Sequence, residues 1–295
     1  MKTKRSYRYR VVDVFTERPL EGNALAVFPD AGDIDDETMQ KIAREFNLAE
    51  TSFVRPASLP HCALALRIFT PTREVPFAGH PTIGTSFVLL DEDRVCADGD
   101  RFVLEERVGR VKVRVERGAR PLIWLTTPPI VFGPTYDPAV CARAVGLDRS
   151  DLLDIAPQLV SAGVPAIFIA LRDQGAVDRA RVGVDDVAML KTSETDSFLV
   201  FVFAPTPAGA YSRMFAPEFG IIEDPATGGA TGPLAAFMMR HDLVSGVAGT
   251  RFVSEQGTKM GRSSILHVAV AGESGADGIE VGGYVTPLAE GTMTF

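Results

Sequence analysis

The chain has 295 residues, 46% hydrophobic and 23% charged, the proportions of a folded globular protein long enough for two domains with separate cores. Its 27 glycines and 20 prolines are scattered, which excludes a collagen-like or low-complexity chain. With 38 acidic against 30 basic residues the net charge is −8, which argues against nucleic acid as the main partner.

The opening basic cluster of Lys2, Lys4, Arg5, Arg8 and Arg10 has no apolar core behind it, so it reads as a solvated first turn and not as a signal peptide. Strand signals follow at 9–15 and 24–28, where β-branched and aromatic residues are bounded by turn-formers. Asp33 and Asp35 open an amphipathic helix in which Met39, Ile42, Ala43 and Phe46 repeat at helical spacing and Asn47 is the terminator. Glu50 leads into an apolar strand at 51–54, and further strands are expected at 63–69, 102–106 and 111–116. Apolar stretches such as 198–204 fall far short of the ~20 residues that span a bilayer, so no membrane is expected. Cys62, Cys96 and Cys141 are odd in number, widely spaced and without CxxC, which fits neither a disulfide framework nor a zinc site. A reducing cytoplasm is the expected compartment.

Two segments carry no Lys, Arg, Asp or Glu: 75–90, VPFAGHPTIGTSFVLL, and 225–239, PATGGATGPLAAFMM. A helix that is apolar all round is buried on every side, and Pro81 and Pro225 suit the first helical position. The segments belong to an internal repeat. RIFTP at 67–71 answers RMFAP at 213–217, HPTIG at 80–84 answers DPATG at 224–228, and FVLE at 102–105 answers FVSE at 252–255. Each half then reads as strands wrapped around one buried helix, with the boundary near 125–136 and a cleft between the halves.

The repeat sets His80 and Asp224 at one place, each before a proline that starts a buried helix. Two helix N-termini facing a cleft would hold a carboxylate through unpaired N–H groups and the helix dipole. From the residues alone Asp224 is first a helix cap, Glu50 a solvated strand-edge carboxylate and Gly22-Asn23 a turn, whereas His80 points to function. Glu50 against an apolar wall is the alternative, a carboxyl whose pKa is raised for proton transfer. Thr227-Gly228-Gly229 is a weak anion-cradling signal. Walker A, GxSxG, HExxH and strand-GxGxxG-helix patterns are absent, and no metal ligand set stands out among His61, His241 and His267.

Seven segments together resemble the PhzF-type phenazine-biosynthesis family: VDVFT at 12–16, GNALAVF at 22–28, NLAETSFV at 47–54, VPFAGHPTIGT at 75–85, MFAPEFG at 214–220, EDPATG at 223–228 and QGTKMGR at 256–262. The resemblance implies an α+β, diaminopimelate-epimerase-like fold of two similar lobes. Each is a curled mixed or antiparallel sheet around a central helix, with the active site in the cleft. The lobes would be 1–127, completed by a C-terminal strand at about 284–295, and 128–283. It further implies a homodimer, no cofactor and no metal, and an enzyme that isomerises trans-2,3-dihydro-3-hydroxyanthranilate by moving a proton between ring carbons. Carried over by motif, Glu50 is the acid/base, His80 and Asp224 assist, and Asn23, Gly79, Thr227, Gly228 and Gly229 bind the substrate. One departure stands out: the family usually has Ser where this chain has Gly229, and Thr227 or Thr231 is the candidate to replace its hydroxyl.

One carboxylate suffices to move a proton across one ring face, whereas racemisation needs two bases on opposite faces, a role that cysteines hold in related epimerases. No cysteine lies within ten residues of His80 or Asp224. The expected function is thus a cofactor-free isomerase acting on a small, anionic, cyclic unsaturated amino acid. The alternatives are an amino-acid racemase or epimerase of the same fold and a non-catalytic small-molecule-binding protein.

Overall fold

A computed structural model describes residues 5–95, 100–192, 197–272 and 278–295. The chain divides into two compact units, Met1–Leu125 with Gly282–Phe295, and Thr126–Val281. The first begins with strands β1 (Ser6–Val14) and β2 (Asn23–Phe28), helix α1 (Asp36–Phe46), and strands β3 (Glu50–Arg55), β4 (Leu64–Phe69) and β5 (Glu74–Val75). Helix α2 (Gly79–Asp91) and strands β6 (Arg101–Glu106), β7 (Gly109–Glu116) and β8 (Leu122–Thr126) follow. The second unit opens with β9 (Val131–Thr135), α3 (Pro138–Ala144), β10 (Gln158–Ser161), β11 (Pro165–Ala170), α4 (Gln174–Arg179) and α5 (Val184–Ala188). It continues with β12 (Leu199–Thr206), β13 (Gly209–Ala216), β14 (Ile221–Asp224), α6 (Gly228–Arg240), β15 (Arg251–Gln256), β16 (Ser264–Val270) and β17 (Ile279–Gly283). The last strand, β18 (Val285–Thr294), returns to the first unit and pairs antiparallel with β1.

Both units pair their strands in one order. In the first, β1/β2 is antiparallel, β2/β3 parallel, β3/β4 and β4/β5 antiparallel, β4/β6 parallel and β6/β7 antiparallel. In the second, β10/β11, β11/β12, β12/β13, β13/β14, β13/β15 and β15/β16 repeat that series of directions. The repeat extends to side chains. Arg67 on β4 clamps Glu74 on β5 with two guanidinium nitrogens and lies over the Phe69 ring; Arg213 on β13 clamps Glu223 on β14 and lies over Phe215. A planar guanidinium matched to both carboxylate oxygens is a strong, oriented pair.

Local chemistry explains the helices. Asp35 caps α1 by accepting from the Thr38 N–H at 2.9 Å, Asp36 and Glu37 occupy the first turn, and Asn47 closes it in the left-handed region at φ 51°. Its buried residues Met39, Ile42 and Ala43 pack into a cluster with Phe28, Phe53 and Phe69. α2 is buried from Gly79 to Leu89 and packs on β1, β2, β3 and β18. Gly84 permits that approach, because a Cβ there would stand 2.7 Å from Leu25 and 2.8 Å from Val14. In the second unit, β11 and β12 are apolar on both faces. Ile167, Ile169, Val200 and Val202 face α3–α5, while Phe168, Phe201 and Phe203 share a cluster with Leu234 and Phe237 of α6.

Three expectations are corrected. Pro81 is the third residue of α2, and Pro225 lies outside α6, whose N-cap is Thr227; neither proline starts a helix. The helix starts Gly79 and Gly228 therefore correspond, and His80 matches Gly229, while Asp224, the last residue of β14, matches Val75, the last residue of β5. His80 and Asp224 are not equivalent positions, because the shared X-Pro dipeptide falls inside one helix and before the other. Finally, Arg8 and Arg10 belong to β1 and ion-pair with Asp91 and Glu92 at the C-terminal end of α2, so they are no solvated turn; Lys2 and Lys4 lie outside the described residues.

Candidate active site

Strand register and one buried helix bring Glu50 and His80 together within the first unit. β2 and β3 run parallel with Leu25 opposite Glu50, and α2, packed on both, carries His80 as its second residue. His80 Nε2 lies 3.5 Å from Glu50 Oε2, and the two side chains are 6% and 16% exposed. Glu50 is thus a partly buried carboxyl beside a buried imidazole, not a solvated strand-edge residue. The imidazole feels two opposed effects. Burial disfavours its cation and dominates, and a hydrogen bond to the Ala24 backbone acts the other way; its pKa falls to about 3. Nε2 makes no hydrogen bond, so the Ala24 bond belongs to Nδ1, and the neutral ring turns a bare lone pair towards Glu50.

Asn23 is buried as the first residue of β2 and pairs with Val14. The preceding Gly22 has φ +69°, and a Cβ there would meet the Val14 carbonyl at 2.3 Å, so only glycine makes this entry into β2. Gly79 and His80 supply first-turn N–H groups of α2, which lack partners within a helix, and Pro81 has none to supply.

The second unit builds a separate polar knot. Asp224 is buried at the end of β14 and accepts from the Thr227 hydroxyl at 2.5 Å. Fully buried Gln256 locks this turn: its Nε2 donates to the Asp224 carbonyl at 2.7 Å and to Thr227 Oγ1 at 3.0 Å, and its Oε1 accepts from the Thr227 N–H at 3.2 Å. Asp224 is not the cap of α6, since Thr227 holds that position and no side chain caps the helix. Gly228 and Gly229 open the helix; Gly229 is exposed, with nothing within 4 Å of a Cβ placed on it. Neither proposed substitute for the missing serine hydroxyl is available as it stands: Thr227 donates to Asp224, and Thr231 donates to the Thr227 carbonyl at 3.0 Å.

Two polar residues beside these segments are not among the site candidates of the sequence: Gln256, which only opens the family segment QGTKMGR, and Glu106 at the end of β6, whose carboxyl contacts Thr82 in the first turns of α2. They are equivalent in the repeat, one residue beyond the matched FVLE and FVSE, and that match is the signal that points to both. Among the described residues no group of three or more His, Cys, Asp or Glu side chains is spaced to hold a metal ion. Likewise among the described residues, no helix is long and apolar enough to cross a membrane. Cys141 sits in the apolar core of the second unit, where burial pushes its thiol up to about 12, and Cys62 precedes β4. Cys96 lies outside the described residues.

The sequence profile of the phenazine biosynthesis-like proteins (PhzC-PhzF) matches residues 12–291. A trans-2,3-dihydro-3-hydroxyanthranilate isomerase of Pseudomonas aeruginosa is 35% identical over 298 aligned positions, covering 97% of this chain and 98% of the relative. The solved structure of a predicted epimerase from Pseudomonas aeruginosa superposes with a TM-score of 0.82 at 34% identity, covering 97% and 99% of the two chains. A hydroxyproline epimerase from Agrobacterium vitis, 14% identical, shares the fold at a TM-score of 0.64, with 100% and 94% coverage. The mixed sheet with few helices is thus common to both groups. By profile, identity and coverage, the chain belongs to the PhzF-type phenazine biosynthesis-like family and is an isomerase.

Proposed function

We propose that the protein moves a proton within a small, cyclic, unsaturated amino acid of the dihydrohydroxyanthranilate type, without a cofactor, with Glu50 as the acid/base. The observation that carries this reading is the partly buried Glu50 carboxyl 3.5 Å from a neutral imidazole. The Glu50 carboxylate takes a proton from a ring C–H, leaving an anion delocalised over the ring double bonds. The same carboxyl, now protonated and at 16% exposure open to proton exchange with solvent, delivers a proton to another carbon on the same face, so the base is regenerated and no atom is gained or lost. His80 fits this cycle as an acceptor. Its free lone pair binds the protonated Glu50 and not the carboxylate, which stabilises the state that exists only between the two transfers. General acid–base assistance of this kind contributes ~10²–10⁴-fold.

Asp224 assists in the proposal, held by Thr227 and Gln256, so Thr227 acts on the substrate only through Asp224, while Asn23, Gly79, Gly228 and Gly229 bind the substrate. The name of the Pseudomonas aeruginosa relative supports the substrate class. A cytoplasmic homodimer completes the proposal by family resemblance. The second reading, an amino-acid racemase or epimerase, draws on the shared fold of the hydroxyproline epimerase. Against it, Cys141 is a buried thiol of raised pKa, unsuited to a base, and Cys62 lies in a loop. Incubating the protein in D₂O with dihydrohydroxyanthranilate and a panel of amino acids separates the two. The proposal expects deuterium in a double-bond isomer; deuterium in an antipode overturns it.

A further inference from the structure

We propose that Glu106 is a positioning residue that works as the neutral acid: its O–H donates to the Thr82 hydroxyl, which donates to the Ala78 carbonyl, and this relay fixes the turn of α2 that carries Gly79 and His80. The link to catalysis rests on the function proposed above; the protonation state does not.

Proton counting gives the first argument. Thr82 Oγ1 lies 2.6 Å from Glu106 Oε1 and 2.8 Å from the Ala78 carbonyl oxygen. A hydroxyl has one proton to give. With Glu106 ionised, two acceptors would compete for it and one short contact would hold no proton. With Glu106 protonated, both contacts are hydrogen bonds. Burial gives the second argument. Glu106 is 4% exposed, and its Oε2 is buried without a partner, a setting in which a carboxylate charge is costly and a neutral acid is tolerated.

Among the described residues no cation pairs with Glu106. Glu106 shares its strand face with Phe102 and Leu104, opposite Gly109, Val111 and Val113 of β7, so Arg110, Lys112, Arg114 and Glu116 fall on the other face. Glu105, on that other face, binds Ser58, and Arg107 and Arg67 are committed to Glu74. The titratable groups of α2 are His80, which is neutral, and Asp91, which pairs with Arg10 at the far end. Burial accordingly pushes the Glu106 pKa up to about 8, with the Thr82 hydrogen bond pulling the other way.

The repeat gives an independent argument. The equivalent residue of the second unit, Gln256, is a neutral donor: its amide N–H groups reach Thr227 Oγ1 and the Asp224 carbonyl beside the start of α6. Both copies thus end this strand on a buried polar side chain that meets a threonine hydroxyl near the start of the buried helix, Thr82 in the first and Thr227 in the second, and in the second copy that side chain is a neutral donor. Only the first copy can lose its proton, which builds an alkaline limit into the segment holding His80.

Glu106→Gln tests this against the parent chain. Infrared difference spectra, parent minus Glu106→Gln at pH 7, should show the C=O stretch of a protonated carboxylic acid, lost as the pH is raised through about 8. The parent band titrates by itself, so this arm stands even if the variant is unstable, and it needs no turnover. With dihydrohydroxyanthranilate as substrate, parent kcat should fall above about pH 8, approaching tenfold per pH unit, while Glu106→Gln keeps kcat within about twofold at pH 7 and loses the alkaline decline. A carboxylate band at pH 7, or an unchanged decline in Glu106→Gln, overturns the proposal. An acid band without any isomerisation retains the protonation state and counts against the proposed function instead.

Discussion

Removing Arg213 should destabilise the second unit more than any surface ion pair does, and the structure sets the size of the effect. The guanidinium makes two bonds of 2.8 Å to the Glu223 carboxylate and three to the carbonyls of Val177, Asp178 and Ala180 at 3.1, 3.2 and 2.8 Å. Both side chains are nearly buried, at 10% and 13% exposure. Arg213→Met strands the Glu223 charge in a poorly solvated place, a change that costs about 3–5 kcal/mol. Arg213→Met with Glu223→Leu removes the stranded charge, leaving mainly the unpaired carbonyls near the end of α4, about 1–3 kcal/mol. The double variant should therefore be about 2 kcal/mol more stable than Arg213→Met, and the coupling in a double-mutant cycle is at least that large, because Glu223→Leu alone adds its own cost. The assay is urea unfolding followed by circular dichroism, with hydrogen exchange of the α4 amides to isolate the second unit. Trp124, the single tryptophan, belongs to the first unit and reports on the other body. An Arg213→Met variant within about 0.5 kcal/mol of the parent, or a double variant whose cost equals the sum of the singles, refutes the reasoning.

His80, with its pKa lowered from 6.5 to about 3 by burial, stays neutral in the folded state while the unfolded chain takes up a proton. Its contribution to stability is therefore complete above about pH 6.5 and is lost as the pH falls towards 3, at about 1.4 kcal/mol per pH unit; His80→Asn should flatten that part of the curve, and an NMR titration showing protonation of the ring near pH 6.5 contradicts it. Gly229→Ser adds a side chain into open, exposed space, so stability should change by less than about 0.5 kcal/mol while the Michaelis constant for a carboxylate substrate falls. A loss of stability above about 1 kcal/mol in thermal melts would show that position 229 is not open.

α1 was legible because a local code specifies it: Asp35 at the cap, acids in the first turn, apolar residues at helical spacing and Asn47 at the left-handed end all agree. The buried helices were legible as charge-free runs, but their starts were not. A proline before an apolar run reads as a first-turn residue, and nothing in the sequence tells whether the chain enters the helix two residues earlier, as at Gly79, or three later, as at Gly228. That ambiguity produced the mistaken equivalence of His80 and Asp224. The Glu50–His80 approach depends on strand register and helix packing between residues 30 apart, which spacing does not encode. Glu106 and Gln256 were hidden because a polar residue ending an alternating strand ordinarily faces water, whereas both are buried where the strand meets the start of a helix.

The measurement that bears most directly on the account is C–H exchange by Glu50→Gln. Glutamine keeps the size of the side chain but cannot accept a proton, so binding of a substrate-like amino acid should persist. Deuterium incorporation from D₂O into dihydrohydroxyanthranilate should fall by ~10²–10⁴-fold. Binding and exchange both unchanged in Glu50→Gln contradict the account, moving the base to His80 or Asp224 and bringing the racemase reading forward.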